Sequence, residues 1–365
     1  MLKKLKHAFI VCGALCSTAI TAQAGELNVY NWIEYIPENF KSGFEQETTA
    51  RVNYDTYDTE EYLDMKLAAG RTGYDVVVPG AAFAEKQIKQ GRYQKIDRSL
   101  LMRWQNLNPE VMAMLASIDP GNQYLVPWSW GYTGIGVNET AVRKALGAEP
   151  MPSDPFELVF NPKYTRKLKS CGIFMLDSPS EILPVALHYL GRVPNSDNAQ
   201  DYEDVLQQVL KPIRSDIRYF GDSSMISDLE DGKYCVTLAW ASDVAMAARR
   251  SNNPNIKMLS GKHSMMFVDV MAIPADAQNI TTAHQWLDYS MRPEIAAKML
   301  TEMGYATPNQ AAESYLSDYT TNEAYFPSAS SLANMYLRRL PQTKQGMQAM
   351  YQTFRGFKMH GRAKK

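Results

Sequence analysis

Between residues 26 and 80 the sequence alternates between strand patterns and helix patterns, and this order restricts the fold classes open to the chain. Three segments rich in β-branched, aromatic or continuous apolar residues predict strands: ELNVYNW, RVNYDTY and YDVVVPG. Two segments that predict helices separate them, and the second ends at Gly70, a residue suited to a helix C-terminus. A strand–helix–strand–helix–strand order is typical of βαβ units, so the sequence predicts an α/β fold with mainly parallel sheets flanked by helices.

The middle of the chain has a different pattern, which predicts a second lobe. Residues 123–140 contain three glycines and predict extended segments, and strand patterns return at CGIFMLD, YCVTLAW and MFVDVMAIP. Two α/β units joined by extended chain predict two lobes with a hinge and a ligand cleft between them. The expected boundaries are residues 25–133 with 256–306 for lobe 1, and residues 134–255 with 307–365 for lobe 2. The basic residues among the last thirty predict an exposed helix and tail.

The N-terminus has the pattern of a secretion signal. A basic start, MLKKLK, precedes the apolar segment AFIVCGALCSTAI, and the small-x-small pattern Ala22-Gln23-Ala24 follows. The apolar segment is shorter than the roughly 20 residues that a membrane-spanning helix needs. The pattern predicts a signal peptide at residues 1–24, cleavage after Ala24 and export to the periplasm.

The charge of the exported chain argues against a nucleic-acid partner. Removing Lys3, Lys4 and Lys6 takes three positive charges from the formal net charge of −1 and leaves the mature chain at −4. A protein that binds nucleic acid usually carries a strongly basic face, so we expect no nucleic-acid partner.

Two cysteines remain after the signal is removed, Cys171 and Cys235. They are the only possible pair in an oxidising compartment, and a disulfide between them is the natural interpretation. Two buried free thiols are the alternative. Their spacing excludes a CxxC redox or zinc site.

Acidic and aromatic side chains recur together near the ends of the predicted strands, which is where open parallel sheets bind ligands. The five segments concerned are WIEY, PGAAF, DSPSE, WASD and FVD, and none contains Lys or Arg. The candidate binding residues are Trp32, Glu34, Tyr35, Phe83, Glu181, Trp240, Asp243, Phe267, Asp269 and Tyr305.

Rings combined with carboxylates suit an organic cation. An aromatic face attracts a cation through its quadrupole, and a carboxylate accepts strong, charge-assisted hydrogen bonds from an ammonium group. Burying several acids without a cation would leave unpaired charges, which is costly. The cluster therefore predicts a ligand that brings positive charge.

Each of these residues, taken alone, also has an ordinary structural explanation. A Trp at a strand end is commonly a core residue, and Asp243 or Glu34 could cap a helix. Paired carboxylates and aromatics also occur in glycosidases, although these segments lack the Arg, Asn and His that read sugars. The sequence contains no nucleotide-binding or nucleophile-elbow motif, and its histidines show no metal spacing. We expect a binding protein without catalysis, metal or cofactor; a scaffold without a ligand is disfavoured by the cluster.

In sequence, the mature chain resembles the bacterial periplasmic polyamine-binding proteins, the putrescine and spermidine receptors of ABC importers. The resemblance covers nearly the whole mature chain, through VYNWIEYIPENF, YDTYDTEE, KLAAGRTGYDVVVPGA, GYTGIGVN, KSCGIFMLDSPSE, VTLAWASDVAMA, FVDVMAIPADA and YATPNQAA. It implies a two-lobed, monomeric receptor that closes on a di- or polyamine and docks on a membrane permease. It also implies that the candidate residues other than Phe83 line the cleft, and that Cys171 and Cys235 are bridged as in putrescine-type members.

Two positions depart from that family. The family usually has Ser or Thr where this chain has Ile33, and Ser where it has Gly80. Two hydroxyl groups that would help to hold an ammonium are absent, and each hydrogen bond to a charged group is worth about 1.5–3 kcal/mol. The particular amine therefore stays open among putrescine, cadaverine, agmatine and spermidine.

Overall fold

The computed structural model describes residues 25–33, 35–57, 60–221 and 224–360. The predicted signal peptide and Glu34 lie outside these described residues. Among the helices within them, none has both the length and the apolar character needed to cross a bilayer.

Ten strands and sixteen α-helices make up the regular structure of the described residues. The strands are β1 (Glu26–Trp32), β2 (Arg51–Tyr57), β3 (Val76–Val77), β4 (Val126–Asn138), β5 (Ile173–Leu176), β6 (Tyr219–Gly221), β7 (Val236–Trp240), β8 (Ile256–Leu259), β9 (Met265–Met271) and β10 (Tyr336–Leu337). The helices are α1 (Phe40–Thr48), α2 (Glu60–Ala69), α3 (Ala81–Lys89), α4 (Pro109–Leu115), α5 (Glu139–Leu146), α6 (Glu157–Phe160), α7 (Pro162–Leu168), α8 (Pro179–Tyr189), α9 (Ala199–Val205), α10 (Lys211–Ile213), α11 (Met225–Glu230), α12 (Ala241–Arg250), α13 (Ile280–Ser290), α14 (Pro293–Thr301), α15 (Ala329–Ala333) and α16 (Lys344–Met359).

The strands form two sheets that follow the alternation seen in the sequence. A three-stranded sheet has the order β2–β1–β3, with both pairs parallel. The larger sheet runs β10–β9–β4–β7–β5–β6, with β8 also pairing β4. Its β5–β6, β5–β7 and β9–β10 pairs are parallel, whereas β4 runs antiparallel to β7, β8 and β9. The predicted βαβ arrangement is confirmed for the first three strands.

The continuous apolar strands are buried on both faces, as their composition predicts. Val76 and Val78 pack into one core, while Val77, between them, packs into another. Ile173 and Phe174 on β5 likewise belong to different cores. Single backbone bridges, including Val77 to Ala272, connect the edge of the small sheet to β9 and the segment after it.

Strand β4 is the longest strand and links the two halves of the molecule. Its first part, Val126–Thr133, pairs with β9, and its last part, Thr133–Val137, pairs with β7. Side chains from the middle of β4 therefore lie between the two sets of strands.

A disulfide joins Cys171 and Cys235, whose Cα atoms are 5.5 Å apart, which confirms the predicted pairing. Cys235 precedes β7 directly, and Cys171 lies two residues before β5. The bridge therefore connects the beginnings of two neighbouring parallel strands.

The C-terminal segment differs in part from its prediction as an exposed helix and tail. Helix α16 forms, but it buries Met350, Phe354 and Phe357 in a core. Before it, the two-residue strand β10 pairs with β9, and Arg338 immediately follows with its side chain only 12% exposed. The prediction that the basicity of this segment marks a solvated face is therefore wrong for Arg338.

Candidate ligand-binding cleft

Two adjoining cavities lie where the two sheets approach each other. The first has a volume of about 210 Å³. It is lined by Trp32, Ile33, Tyr35, Glu181, Trp240, Ser242, Phe267, Asp269, Tyr305 and Arg338. The second has a volume of about 660 Å³ and shares Trp32, Glu181, Trp240 and Arg338 with the first. We call the first the inner cavity and the second the outer cavity.

Seven of the ten candidate binding residues line the inner cavity: Trp32, Tyr35, Glu181, Trp240, Phe267, Asp269 and Tyr305. Trp32 and Trp240 are the last residues of β1 and β7, as the strand-end argument predicts. Phe267 and Asp269 instead lie within β9, two residues apart and therefore on the same face of the strand. The prediction that Phe267 and Asp269 lie at a strand end is therefore wrong, although both residues line the same cavity as the other five candidates.

Aromatic rings form the apolar walls of the inner cavity. The ring centroids of Tyr35 and Tyr305 are 4.7 Å apart in an edge-on arrangement, and Trp32 packs at the same distance on Tyr57. The indole nitrogen of Trp32 is buried and has no hydrogen-bond partner among the described residues. The wall thus combines ring faces with an N–H group that is free to donate.

A chain of hydrogen bonds from Ser129 through Tyr35 holds Asp269 in the cavity wall. The Tyr35 hydroxyl donates to Oδ2 of Asp269 at 2.6 Å, and a second short hydrogen bond joins Tyr35 to Ser129 on β4. Burial raises the pKa of Asp269, while the hydrogen bond from Tyr35 and the charge of Arg338 oppose this rise. The carboxyl group is therefore ready to accept a cation that would stabilise its charged form.

Glu181 is the second acid of the inner cavity and is almost completely buried, at 1% exposed. It lies in the first turn of α8, where a negative charge is favourable to the helix. Thr133 of β4 donates to its Oε2 at 2.6 Å, and Arg338 donates to its Oε1 in a short ion pair. Both oxygens of Glu181 are therefore satisfied within the protein.

Glu60 is a third acid beside Arg338. It begins α2 and accepts a hydrogen bond of 2.8 Å from the backbone N–H of Gly80. Burial raises its pKa to about 8, against the lowering effect of Arg338, while Asp269 adds to the rise. Burial lowers the pKa of Arg338, but Glu181, Glu60 and Asp269 together hold that pKa above its usual value.

Three candidate residues are not placed on the inner cavity. Phe83 lies in the first turn of α3 and lines the outer cavity. Asp243 lies in the first turn of α12, adjacent to the cavity residues Trp240 and Ser242, and is buried. Burial raises its pKa to about 7, with the charge of Arg250 opposing. Glu34 lies outside the described residues.

None of the basic residues that line the cleft was predicted from the sequence. Arg338, Arg355 and Lys358 line the outer cavity, and Lys358 forms a salt bridge of 2.6 Å with Asp177. All three come from the C-terminal segment, which no strand-end pattern connects to the cleft. Thr133, which donates to Glu181, and Ser129, which is hydrogen-bonded to Tyr35, were missed as well because they lie within β4 rather than at its end.

Two α/β halves enclosing a cleft of rings and buried acids define the class of the solute-binding proteins. The family model described as "Bacterial extracellular solute-binding protein" matches residues 40–327. The chain belongs to this family. The resemblance drawn from the sequence and the two-lobed α/β fold that it implied are both confirmed.

Relatives and solved structures support the same assignment. The chain is 39% identical to the putrescine-binding periplasmic protein PotF of Escherichia coli (strain K12), over 92% of this chain and 93% of PotF. It is also 39% identical to the putrescine-binding periplasmic protein SpuD of Pseudomonas aeruginosa (strain UCBPP-PA14), over 90% and 91%. The spermidine/putrescine substrate-binding protein PotD of Streptococcus pneumoniae superposes with a TM-score of 0.77 at 24% identity, over 92% of this chain and 99% of that one, which shows the common fold.

Proposed function

We propose that this protein is a receptor that captures a protonated di- or polyamine in the cleft between its lobes. The observation that carries the proposal is the pairing of two buried carboxylates, Glu181 and Asp269, with the ring walls of one cavity. The relatives named for binding putrescine support the same class of ligand.

The chemistry of the inner cavity suits an alkylamine. Asp269 offers a buried acceptor whose charged form an ammonium group would stabilise. Trp32, Trp240 and Phe267 offer faces that attract the cation and apolar area that covers its methylene groups. A cation that neutralises the acids also lowers the free energy of a closed cleft relative to an open one.

The proposed binding residues are the ten predicted from the sequence. Trp32, Tyr35, Phe83, Trp240, Phe267 and Tyr305 are assigned to the walls. Glu34, Glu181, Asp243 and Asp269 are assigned to the anionic groups.

The remaining features of the proposal concern the setting of the receptor. It is exported to the periplasm with loss of residues 1–24, acts as a monomer and delivers its amine to the membrane permease of an ABC importer. It carries out no catalysis. The proposed lobes are residues 25–133 with 256–306 and residues 134–255 with 307–365, with the hinge in the strands that connect them.

A thermal-shift panel tests the ligand class. Purified mature protein is melted with putrescine, cadaverine, agmatine, spermidine and spermine, and separately with a set of glycosides. At least one amine should raise the melting temperature in proportion to the logarithm of its concentration above its Kd. Sodium chloride of equal ionic strength controls for screening, and the glycosides test the carbohydrate alternative. Absence of a shift with every amine would refute the proposal.

A further inference from the structure

Gly80 leaves a space that the side chains of Glu60 and Arg338 fill. A Cβ atom at this position would overlap Oε1 of Glu60 and would lie 2.9 Å from Nη2 of Arg338. Asp269 pairs with Gly80 through a backbone bridge, and its Oδ1 is 3.5 Å from the same point. The Glu60 and Arg338 side chains can therefore meet beside Asp269 only because residue 80 has no side chain.

Arg338 occupies the place in the cleft where an ammonium group would be expected. Its guanidinium forms an ion pair with Glu181 and interacts electrostatically with Glu60 and Asp269. Its central carbon lies 5.8 Å from the ring centroid of Phe267, within cation–π range. Acids and an aromatic ring, the groups proposed to bind a ligand cation, therefore already surround the cationic side chain of Arg338.

The internal cation changes the charge that the cleft requires from its ligand. Without Arg338, the acids at this end would face the ligand without a counter-charge. With Arg338 in place, Glu181 is already neutralised, and a ligand ammonium brought beside it would meet a fixed positive charge. Discrimination by a like charge is a general device for specificity, and here it acts against the second charge of a diamine.

We propose that Arg338 is a specificity-determining residue, an internal counter-ion that lowers by one the positive charge that this cleft accepts from its ligand. It shifts preference from free diamines toward amines of the same length whose second nitrogen is uncharged, such as monoacylated diamines. The uncharged polar end lies beside the ion pair of Arg338 and Glu181, and the single ammonium pairs with a carboxylate of the cleft that is not in an ion pair with Arg338. This inference rests on the proposed amine-binding function and names a subclass of its ligands.

Calorimetric titration with putrescine and N-acetylputrescine measures this effect directly. The observable is the ratio of Kd for putrescine to Kd for N-acetylputrescine. In Arg338→Gln, which keeps hydrogen-bond donors for Glu181 but removes the charge, the ratio should fall at least tenfold relative to the wild type. Arg338→Lys, which keeps the charge, should retain a ratio within threefold of the wild type. Arg339→Gln is the matched control. The Arg339 side chain is next to Arg338 in sequence, is 33% exposed and lines neither cavity.

The outcomes separate this inference from the function on which it rests. If both amines bind but the ratio in Arg338→Gln stays within threefold of the wild type, the role of Arg338 is refuted and the amine receptor stands. If neither amine binds the wild type or any variant while another amine of the thermal-shift panel does, the role of Arg338 is refuted and the amine receptor stands. If no amine binds in either experiment, the proposed function fails and the inference fails with it. Circular dichroism and thermal melting verify that each variant is folded. Arg338→Met replaces Arg338→Gln if the latter does not fold.

Discussion

The hydroxyl group of Tyr35 donates a 2.6 Å hydrogen bond to Oδ2 of Asp269, joining the segment after β1 to the middle of β9 across 234 residues of sequence. The same hydroxyl is hydrogen-bonded to Ser129 on β4. The bond therefore orients the carboxylate toward the cavity and couples it to the long strand that links the two halves. Asp269 is held as an acceptor before any ligand arrives.

Removing the charge of Asp269 should weaken amine binding more than it affects folding. In Asp269→Asn, the loss of a charge-assisted hydrogen bond of about 1.5–3 kcal/mol should raise the Kd roughly 10- to 100-fold. The melting temperature of the free protein should not fall, because burial already disfavours the charged form of this group.

Calorimetric titration and thermal melting check both parts of this prediction. The matched control is Asp231→Asn, since that side chain is 63% exposed and lines neither cavity. An unchanged Kd in Asp269→Asn would remove Asp269 from the site.

Amine affinity should increase with pH around neutrality. Burial raises the pKa of Asp243 to about 7, so below that pH an amine that pairs with this carboxylate must displace a proton. By proton linkage, the Kd should fall by up to about tenfold per pH unit as pH rises toward 7 and then level off. Asp243→Asn should flatten this profile. Titrations between pH 5 and pH 8.5 measure it, and an equally steep profile in the variant would contradict the assignment.

The free protein should show the opposite dependence of its own stability on pH. Asp243 and Glu60, with pKa values of about 7 and about 8, hold protons more tightly when folded than when unfolded. Their contribution to stability is complete below their unfolded pKa values and is lost as pH rises through the folded ones. The melting temperature of the ligand-free protein should therefore decrease between pH 6 and pH 8.5, and Glu60→Gln with Asp243→Asn should reduce that decrease. Differential scanning calorimetry measures these melting temperatures. A wild-type melting temperature that rises between pH 6 and pH 8.5, without such a rise in the double variant, would contradict the prediction.

An alanine at position 80 should destabilise the protein by overpacking. Its Cβ would overlap the Glu60 carboxylate and crowd Arg338, so Gly80→Ala should cost about 1–3 kcal/mol in the free energy of unfolding. Gly261→Ala is the matched control, because its Cβ would find its nearest atom at an ordinary 3.4 Å. Urea unfolding compares the two variants. Equal stabilities would mean that Glu60 and Arg338 move aside at no cost.

Loss of the disulfide should lower stability without changing the ligand preference. Cys171 and Cys235 are 64 residues apart, and breaking a bridge that closes a loop of this length typically costs about 2–4 kcal/mol. The variant with both cysteines changed to alanine should melt at a lower temperature than the wild type, and a reductant should lower the melting temperature of the wild type alone. An effect of the reductant on the variant would show that it acts elsewhere.

Much of the fold was predictable because its signals are local. The β-branched and aromatic content of β1 and β2, the apolar content of β5 and the helix end at Gly70 depend on neighbouring residues. Strand–helix alternation limits the topology to parallel βαβ units. The seven candidate residues among the ten that line the inner cavity were predictable for a related reason. Most of them lie at or near strand ends, where a parallel sheet gathers its ligand contacts.

Arg338 could not be predicted in the same way. It follows a two-residue strand whose pairing with β9 depends on contacts between distant parts of the chain, and its partner Glu181 is 157 residues away. In the sequence it belongs to a basic, polar segment that is typical of exposed surface. The charge balance of the cleft, and with it the expected charge of the ligand, changes with this one side chain.

The sequence by itself determined the class of fold, the disulfide and the supply of rings and acids, since these follow from local patterns, composition and cysteine count. Only the tertiary structure decided which acids are paired within the protein and which remain for a ligand. The physical reason is that the energy of a buried charge depends on every charge within a few ångströms, whatever its position in the sequence. Gly80 illustrates the difference: in the sequence it is a missing hydroxyl group, and in the structure it is the space that admits Glu60 and Arg338.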